Sequence, residues 1–235
     1  MKVTYTKGKL IMILYSNVFL LLKKKYLHEW KLYTEHVFVK NLSNNKLLEE
    51  KFLNYLIQDY LFLIQFSKAW SLAIIKSDNL EEMKICANTV NGLINFEMDL
   101  HIKLCKKYGI SKKELINAEE KNKNIAYSRY VLESGYSGDF LDLITPLIPC
   151  VIGYAEIGNN LKNCKPSNQM YKSWIETYSG EEYQKISKSV GRLFDSAVLN
   201  RLGKSFYRTR KWKSIQKKFK KAVILEIDFW EMALE

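Results

Sequence analysis

The chain has 235 residues, of which 47% are hydrophobic, so it can bury a sizeable core without disulfide bonds or metal ions. Its four cysteines include no CxxC pair and its three histidines are scattered, which argues against a zinc site and is typical of a reduced, cytoplasmic protein. The net charge of +12 leaves an anionic partner open. Because only three prolines and ten glycines interrupt the chain, we expect an all-α fold in a single domain.

The N-terminal stretch 10–22 is apolar, but it does not predict a membrane segment. It contains Ser16 and Asn17, lacks a small-residue cleavage site and is short for a membrane span. We predict a tail over residues 1–12 and one helical domain over 13–235 that begins with a core helix over 13–34. The Asn- and Ser-rich stretch 36–45 predicts a turn.

Apolar residues recur at helical spacing along most of the remaining chain. They predict a long amphipathic helix over 46–75, with Asp59 on its inward face, and another over 80–108. Ser111 and Glu114, three residues apart, predict a capping box for a short helix. Further helices are expected over 125–133, 140–163, 170–175, 181–199 and 211–234.

Asp59 lies among aromatic residues on its helix face. Tyr55 precedes it by four positions, and Phe62 and Phe66 follow it by three and seven. A lone buried carboxylate is costly, so Asp59 needs a partner. It is either a structural group paired with a neighbouring helix or the polar anchor of an aromatic-walled pocket for a small molecule.

Glu226 repeats this pattern, three and four positions before Phe229 and Trp230 in a strongly apolar segment. Two carboxyl groups in unlike environments can have separated pKa values, so one would anchor a ligand and the other would donate or accept a proton. The alternative is two unrelated structural carboxylates. Asp228 and Glu231 are expected to face elsewhere.

Cys150 follows Pro149 in an apolar helical segment. A buried cysteine is usually inert core. It becomes a nucleophile where a pocket stabilises its thiolate or holds an electrophile within a few ångströms. The residues around Cys150 leave both interpretations open.

Eight short motifs, taken together, resemble the TenA (thiaminase II) family of the haem-oxygenase-like fold, in that family's order and over about residues 15–235. Any one of them alone would be weak. The motifs are HVFV at 36–39, YLIQDY at 55–60, FEMDLH at 96–101, SGDF from 137, LIPC ending at 150, YAEIG at 154–158, YKSWIETYSG from 171 and EIDFWEMA from 226.

The resemblance implies a role for each matching residue. Cys150 corresponds to the catalytic nucleophile, Asp59 to the carboxylate that binds the amino group and ring nitrogen of a pyrimidine, and Glu226 to the general acid and base. Phe62 stands where the family often has a tyrosine, so one hydroxyl contact is lost. The residues expected to line the substrate are Tyr127, Tyr154, Tyr178, Phe62 and Phe229.

The activity implied by the resemblance is hydrolysis in thiamine salvage. The substrate would be 4-amino-5-aminomethyl-2-methylpyrimidine or thiamine, and the product the 5-hydroxymethyl pyrimidine. The Cys150 sulfur would add to ring carbon 6 and form a covalent intermediate. We expect no cofactor and no metal, since the chain has no glycine-rich phosphate loop and no cluster of histidines and acids.

Two other classes of function stay open. A haem or redox-cofactor enzyme of the same fold would use His28 or His36 as a ligand. A non-catalytic regulatory or nucleic-acid-binding protein would use the segment 201–221, which has ten Lys or Arg residues and no acid. That segment is more simply explained as a solvated helix face, so a nucleic-acid partner is unlikely.

The resemblance also implies a homo-oligomer, most simply a tetramer. A surplus of aromatic residues is compatible with subunit interfaces. These residues are Trp70, Tyr171, Phe206 and Trp212.

Overall fold

The structure, a computed structural model, describes residues 15–235, so the predicted tail over 1–12 lies outside the described residues. All regular structure in the described part is helical, which confirms the all-α prediction. The helices are α1 Asn17–Lys25, α2 Leu27–Thr34, α3 Val37–Ser43, α4 Glu49–Ile75, α5 Leu80–Gly92, α6 Met98–Lys107, α7 Lys112–Asn117, α8 Asn122–Tyr136, α9 Phe140–Leu161, α10 Gln169–Ser179, α11 Glu181–Leu202 and α12 Arg210–Leu234.

The prediction of one helix over 13–34 is wrong, because the chain bends at Tyr26 and forms α1 and α2. α1 packs against α11, whereas α2 packs against α12, and a straight helix could not reach both. Ser16 marks the start of α1, since its Oγ accepts a hydrogen bond from the Phe19 amide at 2.9 Å.

The prediction of a turn over 36–45 is also wrong, because most of this stretch is α3. The His36 side chain caps the helix by accepting from the Phe38 amide, and α3 buries Phe38, Val39 and Leu42 against the core. This apolar face outweighs the poor helix propensity of the asparagines. The asparagines favour a turn only after the end of α3, where Asn45 has a φ of 58°.

The helix predicted over 46–75 is confirmed as α4. The stretch 80–108 is helical as predicted, but a π-helical turn, Leu93–Glu97, separates α5 from α6. Such a turn holds one extra residue, shifts the helix face that follows it and is frequent at functional sites. The capping box of Ser111 and Glu114 at the start of α7 is confirmed.

α9 is the central helix, packed against α8, α10, α11 and α12. By length and composition it could cross a membrane, but 89% of its most apolar window is buried inside the protein. Its apolar character is therefore that of a core helix. The helices predicted over 125–133, 170–175, 181–199 and 211–234 correspond to α8, α10, α11 and α12, which extend one to four residues further at most of their ends.

The four aromatic residues predicted to support subunit interfaces are buried within the chain itself. Trp70 and Tyr171 are at most 1% exposed, and Trp212 and Phe206 are 5% and 8% exposed. Their surface is already covered by this chain, so this part of the prediction is wrong. The oligomeric state itself stays a prediction.

The basic segment 201–221 spans the end of α11 and the first half of α12. Part of its charge is neutralised by ion pairs. Arg201 binds Glu82 at 2.6 Å, and Lys211 lies 2.6 Å from both Asp139 and Asp142. These contacts favour a structural and solvated face for the segment.

Candidate active site

A cavity of about 430 Å³ opens between the π-helical turn and α11 and reaches Cys150. Its walls extend from exposed residues such as Phe96 to Cys150, which is only 9% exposed. The volume is in the range of small-molecule sites. The predicted nucleophile therefore lies where a ligand from solvent can touch it. Asp59 and Glu226 are buried, at 3% and 2% exposure, and do not line this cavity.

The packing of α9 at Cys150 depends on Gly153, about one turn further along the same helix. A Cβ atom at Gly153 would come within 2.3 Å of the Tyr33 ring. The missing side chain therefore lets Tyr33 lie across α9, where its hydroxyl donates to the Pro149 carbonyl at 3.4 Å.

Glu226 projects from the buried side of α12 beside two tyrosine hydroxyls. Tyr127 donates to its Oε1 at 2.7 Å, and the Tyr33 hydroxyl lies close to the same carboxyl. Burial raises the pKa of Glu226 to about 8, although the two hydroxyls lower it. A carboxyl with such a pKa can both accept and donate a proton near neutral pH.

Asp59 is held from two sides on α4. Tyr55 donates to its Oδ2 at 2.9 Å, and His101 Nε2 lies 2.7 Å from the same oxygen. Trp174 donates to the Tyr55 hydroxyl at 3.0 Å, so the Tyr55 proton is directed to Asp59. Among the described residues, none forms a hydrogen bond with Asp59 Oδ1, which leaves that oxygen for a ligand.

The His101 ring is fixed by its second nitrogen. Its Nδ1 lies 2.8 Å from the Glu97 carbonyl oxygen, which can only accept, so Nδ1 carries a proton. One further proton is then shared between His101 Nε2 and Asp59 Oδ2. Burial alone would lower the pKa of His101, but the hydrogen bond and charge of Asp59 raise it, which favours imidazolium beside carboxylate.

Glu97, the last residue of the π-helical turn, is a third carboxyl group in this region and lines the cavity. Tyr178 donates to its Oε1 at 2.7 Å. Burial and the charge of Asp59 raise the pKa of Glu97 to about 7. The Tyr178 backbone approaches α9 closely at Gly158, where a Cβ would lie 2.4 Å from it.

Sequence reasoning missed both Glu97 and His101 as site residues. They lie within the FEMDLH motif, and their spacing of four residues places them on one helix face. The pairing of an acid with a histidine on one helix face is the sequence pattern that could have predicted these two site residues.

Burial and the three carboxyl groups hold the pKa of Cys150 well above its usual range. Glu226 has the largest electrostatic effect of the three, followed by Glu97 and Asp59. The thiol is therefore protonated at neutral pH, so its attack on an electrophile has to transfer the proton to a neighbouring base.

The predicted aromatic residues form two groups. Phe62 packs against Tyr127 and Phe229, with ring centroids 4.8 and 5.4 Å apart, and so belongs to the surroundings of Glu226. Tyr154 packs against Tyr178 at 5.0 Å, on the side of Glu97. The structure thus groups these aromatic residues around the carboxyl groups that affect Cys150, but of the predicted site residues it is Cys150 alone that lines the cavity.

The histidines considered as cofactor ligands lie elsewhere. His36 Nε2 donates to Glu231 at 2.9 Å, while its Nδ1 accepts from the Phe38 amide, so both ring nitrogens are used within the protein. His28 is exposed, and neither histidine lines the cavity at Cys150. These contacts favour a structural role for His36.

Known proteins are similar to this chain over most of its length. A sequence model described as the TENA/THI-4/PQQC family matches residues 24–235. An aminopyrimidine aminohydrolase from Halalkalibacterium halodurans is 31% identical over 206 residues, which are 87% of this chain and 89% of that protein. Since further relatives over most of the chain have the same name, the prediction of a hydrolytic enzyme is confirmed.

Solved structures agree on the fold. One described as a TenA family transcription regulator from Silicibacter sp. TM1040 is 45% identical, with a TM-score of 0.90 over 94% of this chain and 97% of that one. A domain with a heme oxygenase-like fold from Shewanella denitrificans is 10% identical, with a TM-score of 0.70 over 92% of this chain and 91% of that one, which confirms the predicted fold. The chain belongs to the TENA/THI-4/PQQC family, in agreement with the motifs it shares with TenA proteins.

Proposed function

We propose that this protein hydrolyses 4-amino-5-aminomethyl-2-methylpyrimidine, and also thiamine, to the 5-hydroxymethyl pyrimidine through a covalent adduct with Cys150. The observation that carries the proposal is the setting of Cys150. Cys150 lines a cavity, and two buried carboxyl groups on two other helices, Asp59 and Glu226, raise the pKa of its thiol. The relatives named aminopyrimidine aminohydrolase support the same reaction.

The two carboxyl groups have different partners, which supports different roles. Asp59 lies beside His101, whose pKa it raises, and is suited to bind the amino group and ring nitrogen of the pyrimidine through its free Oδ1. This contact favours the more electrophilic, protonated ring. Glu226, with a pKa of about 8, is suited to move protons.

The proposed reaction balances around one proton on Glu226. The Cys150 sulfur bonds to ring carbon 6 as the thiol proton moves to Glu226. The bond between the methylene carbon and the nitrogen then breaks. An ammonium group leaves as ammonia and the thiazolium ring of thiamine leaves as a neutral thiazole, so neither needs a further proton. Water adds to the exocyclic methylene and gives its proton to the released ammonia or to solvent, and the bond between sulfur and carbon 6 breaks as Glu226 returns its proton to the sulfur.

The aromatic residues would hold the ring. Phe62, Tyr127 and Phe229 give flat apolar surfaces near Glu226. Phe62 can stack on a pyrimidine but cannot form the hydrogen bond of a tyrosine. We expect this change to alter rate or substrate preference without abolishing the reaction.

The same proposal includes a cytoplasmic salvage role and a homotetramer. The cysteines of the described residues are free, as expected in a reducing compartment. Ile75, Leu80 and Met83 are 80%, 62% and 40% exposed near the junction of α4 and α5, and this apolar surface is suited to a subunit contact. Light scattering would give the stoichiometry, and a monomer would contradict the tetramer.

The test is release of the hydroxymethyl pyrimidine, measured by chromatography, from the aminomethyl pyrimidine and separately from thiamine. We expect release by the wild type and its loss in Cys150→Ser. The faster substrate would identify the preferred one. Cys164→Ser is the matched control, because Cys164 is only partly buried and lies outside the cavity.

Thermal melting should show that both serine variants fold. Wild-type protein that folds but releases product from neither substrate would contradict the proposed function. Nucleic-acid binding that persists at physiological salt would then favour the regulatory alternative and the segment 201–221.

A further inference from the structure

The wall of the cavity carries a charge opposite to that of the whole protein. Three acidic residues line it, Glu97, Asp99 and Glu182, against one lysine, Lys103. The chain as a whole has a net charge of +12. A local excess of negative charge in a concave site attracts cations. The cavity is therefore matched to a positively charged ligand group.

Of the three acids in the cavity wall, Glu97 is the one that affects Cys150. It shares the cavity wall with Cys150 and affects the pKa of that thiol. Its Oε1 is held by Tyr178 at 2.7 Å, whereas among the described residues Oε2 takes part in no hydrogen bond. Glu97 thus has a fixed orientation and one free acceptor oxygen.

The π-helical turn gives Glu97 two functions at once. Its carbonyl oxygen accepts from His101 Nδ1 at 2.8 Å, so the backbone at Glu97 helps to orient the partner of Asp59. Its side chain meanwhile lines the cavity. One residue therefore joins the pyrimidine-binding side of the site to the side open to solvent.

The proposed reaction changes the charge of the group on the methylene. A primary amine there is protonated at neutral pH, whereas the hydroxyl of the product is neutral. A carboxylate beside the methylene would form a charge-assisted hydrogen bond with the substrate that the product cannot form.

We propose that Glu97 is a specificity-determining residue that binds the ammonium group of the aminomethyl substrate through Oε2. The inference rests on the proposed function, since it places the pyrimidine between Asp59 and Cys150. Loss of this ion pair on hydrolysis favours release of the neutral product. The quaternary nitrogen of thiamine has no hydrogen to donate, so Glu97 favours the aminomethyl substrate over thiamine.

The test compares two ligands that differ only in this group. The dissociation constants of the aminomethyl and hydroxymethyl pyrimidines are measured by calorimetry in Cys150→Ser, which prevents turnover. Glu97→Gln is then added to that protein. We expect affinity for the aminomethyl ligand to fall about tenfold or more, corresponding to about 1.4 kcal/mol. Affinity for the hydroxymethyl ligand should change less than about twofold, because its contacts with Asp59 and the aromatic residues remain.

The matched control is Glu181→Gln, which makes the same change in charge on an exposed residue outside the cavity. It should leave both affinities unchanged. Equal weakening of both ligands by Glu97→Gln would show a purely structural role and overturn the inference, as would no change in either. If Cys150→Ser protein binds neither pyrimidine while remaining folded, the proposed function fails and the inference fails with it.

Discussion

Tyr127 donates a hydrogen bond to Glu226 across the interface of α8 and α12, with 2.7 Å between the phenol oxygen and Oε1. Both side chains are at most 2% exposed. The hydrogen bond lowers the pKa of Glu226, but burial has the larger effect and raises it to about 8. Glu226 is therefore mostly protonated at neutral pH, and this has consequences for both stability and rate.

Glu226→Gln should stabilise the protein increasingly as the pH rises. The folded pKa of about 8 lies above the ordinary value of 4.5, so the folded state binds more protons between these limits. The contribution of wild-type Glu226 to stability is therefore fully present below pH 4.5 and is lost as the pH rises towards 8. The loss is about 1.4 kcal/mol for each pH unit within this window.

Glutamine does not titrate, so the difference in melting temperature between variant and wild type should grow by about 5 °C or more from pH 5 to pH 8. Scanning calorimetry of both proteins at the two pH values would measure it. A difference that is the same at both would show that Glu226 is not held protonated by burial.

Tyr127→Phe should move the pH dependence of the reaction to higher pH. In the proposed mechanism the ionised Glu226 accepts the Cys150 proton, so the rate of adduct formation rises with pH to about 8. Loss of the Tyr127 hydroxyl removes a group that lowers the pKa of Glu226. The increase in the rate of adduct formation should therefore occur at higher pH. Rapid-mixing single-turnover kinetics from pH 6 to 9 would detect the shift.

Tyr130→Phe is a matched control on the same helix, because Tyr130 is only partly buried and does not contact Glu226. It should leave the profile unchanged. A profile for Tyr127→Phe that coincides with wild type would assign the proton transfer to a group other than Glu226.

His101→Ala should destabilise the protein by about 3 kcal/mol, because it leaves the buried Asp59 without its charged partner. The loss should be much smaller when Asp59 is already Asn. Urea denaturation of the wild type, the two single variants and the double variant would give the coupling energy. Strictly additive losses would contradict a charged His101–Asp59 pair.

The sequence predicted the helical elements well where apolar periodicity was strong. α4 buries one long apolar face and α9 is apolar on nearly all sides, so the apolar pattern alone located them. α3 was missed because its polar residues suggested a turn, while its stability comes from packing of Phe38 and Leu42 on other helices. The bend at Tyr26 also depends on which helices receive α1 and α2, and a local pattern cannot show this.

The candidate site was predicted chiefly through resemblance. Composition and periodicity left both carboxyl groups and Cys150 with structural alternatives. The motifs grouped Cys150, Asp59 and Glu226, and the structure places the three residues in one region. Glu97 and His101 were not predicted because their importance comes from contacts with α4, α9 and α10. It also depends on a π-helical turn that the residue pattern does not predict.

Gly153→Ala tests how tightly the packing of α9 controls the site. A methyl group at this position would lie 2.3 Å from the Tyr33 ring, which is fully buried. Overpacking of this kind costs about 1–3 kcal/mol, which outweighs the gain in helix propensity from glycine to alanine of about 1 kcal/mol. We therefore expect net destabilisation in urea denaturation, together with slower turnover because Tyr33 is displaced from Glu226. Gly92→Ala is the matched helical control for stability, since its added Cβ would meet only the flexible end of Ile186 at 3.2 Å. If both variants gained stability equally, the close approach of Tyr33 to α9 would not be a constraint on this site.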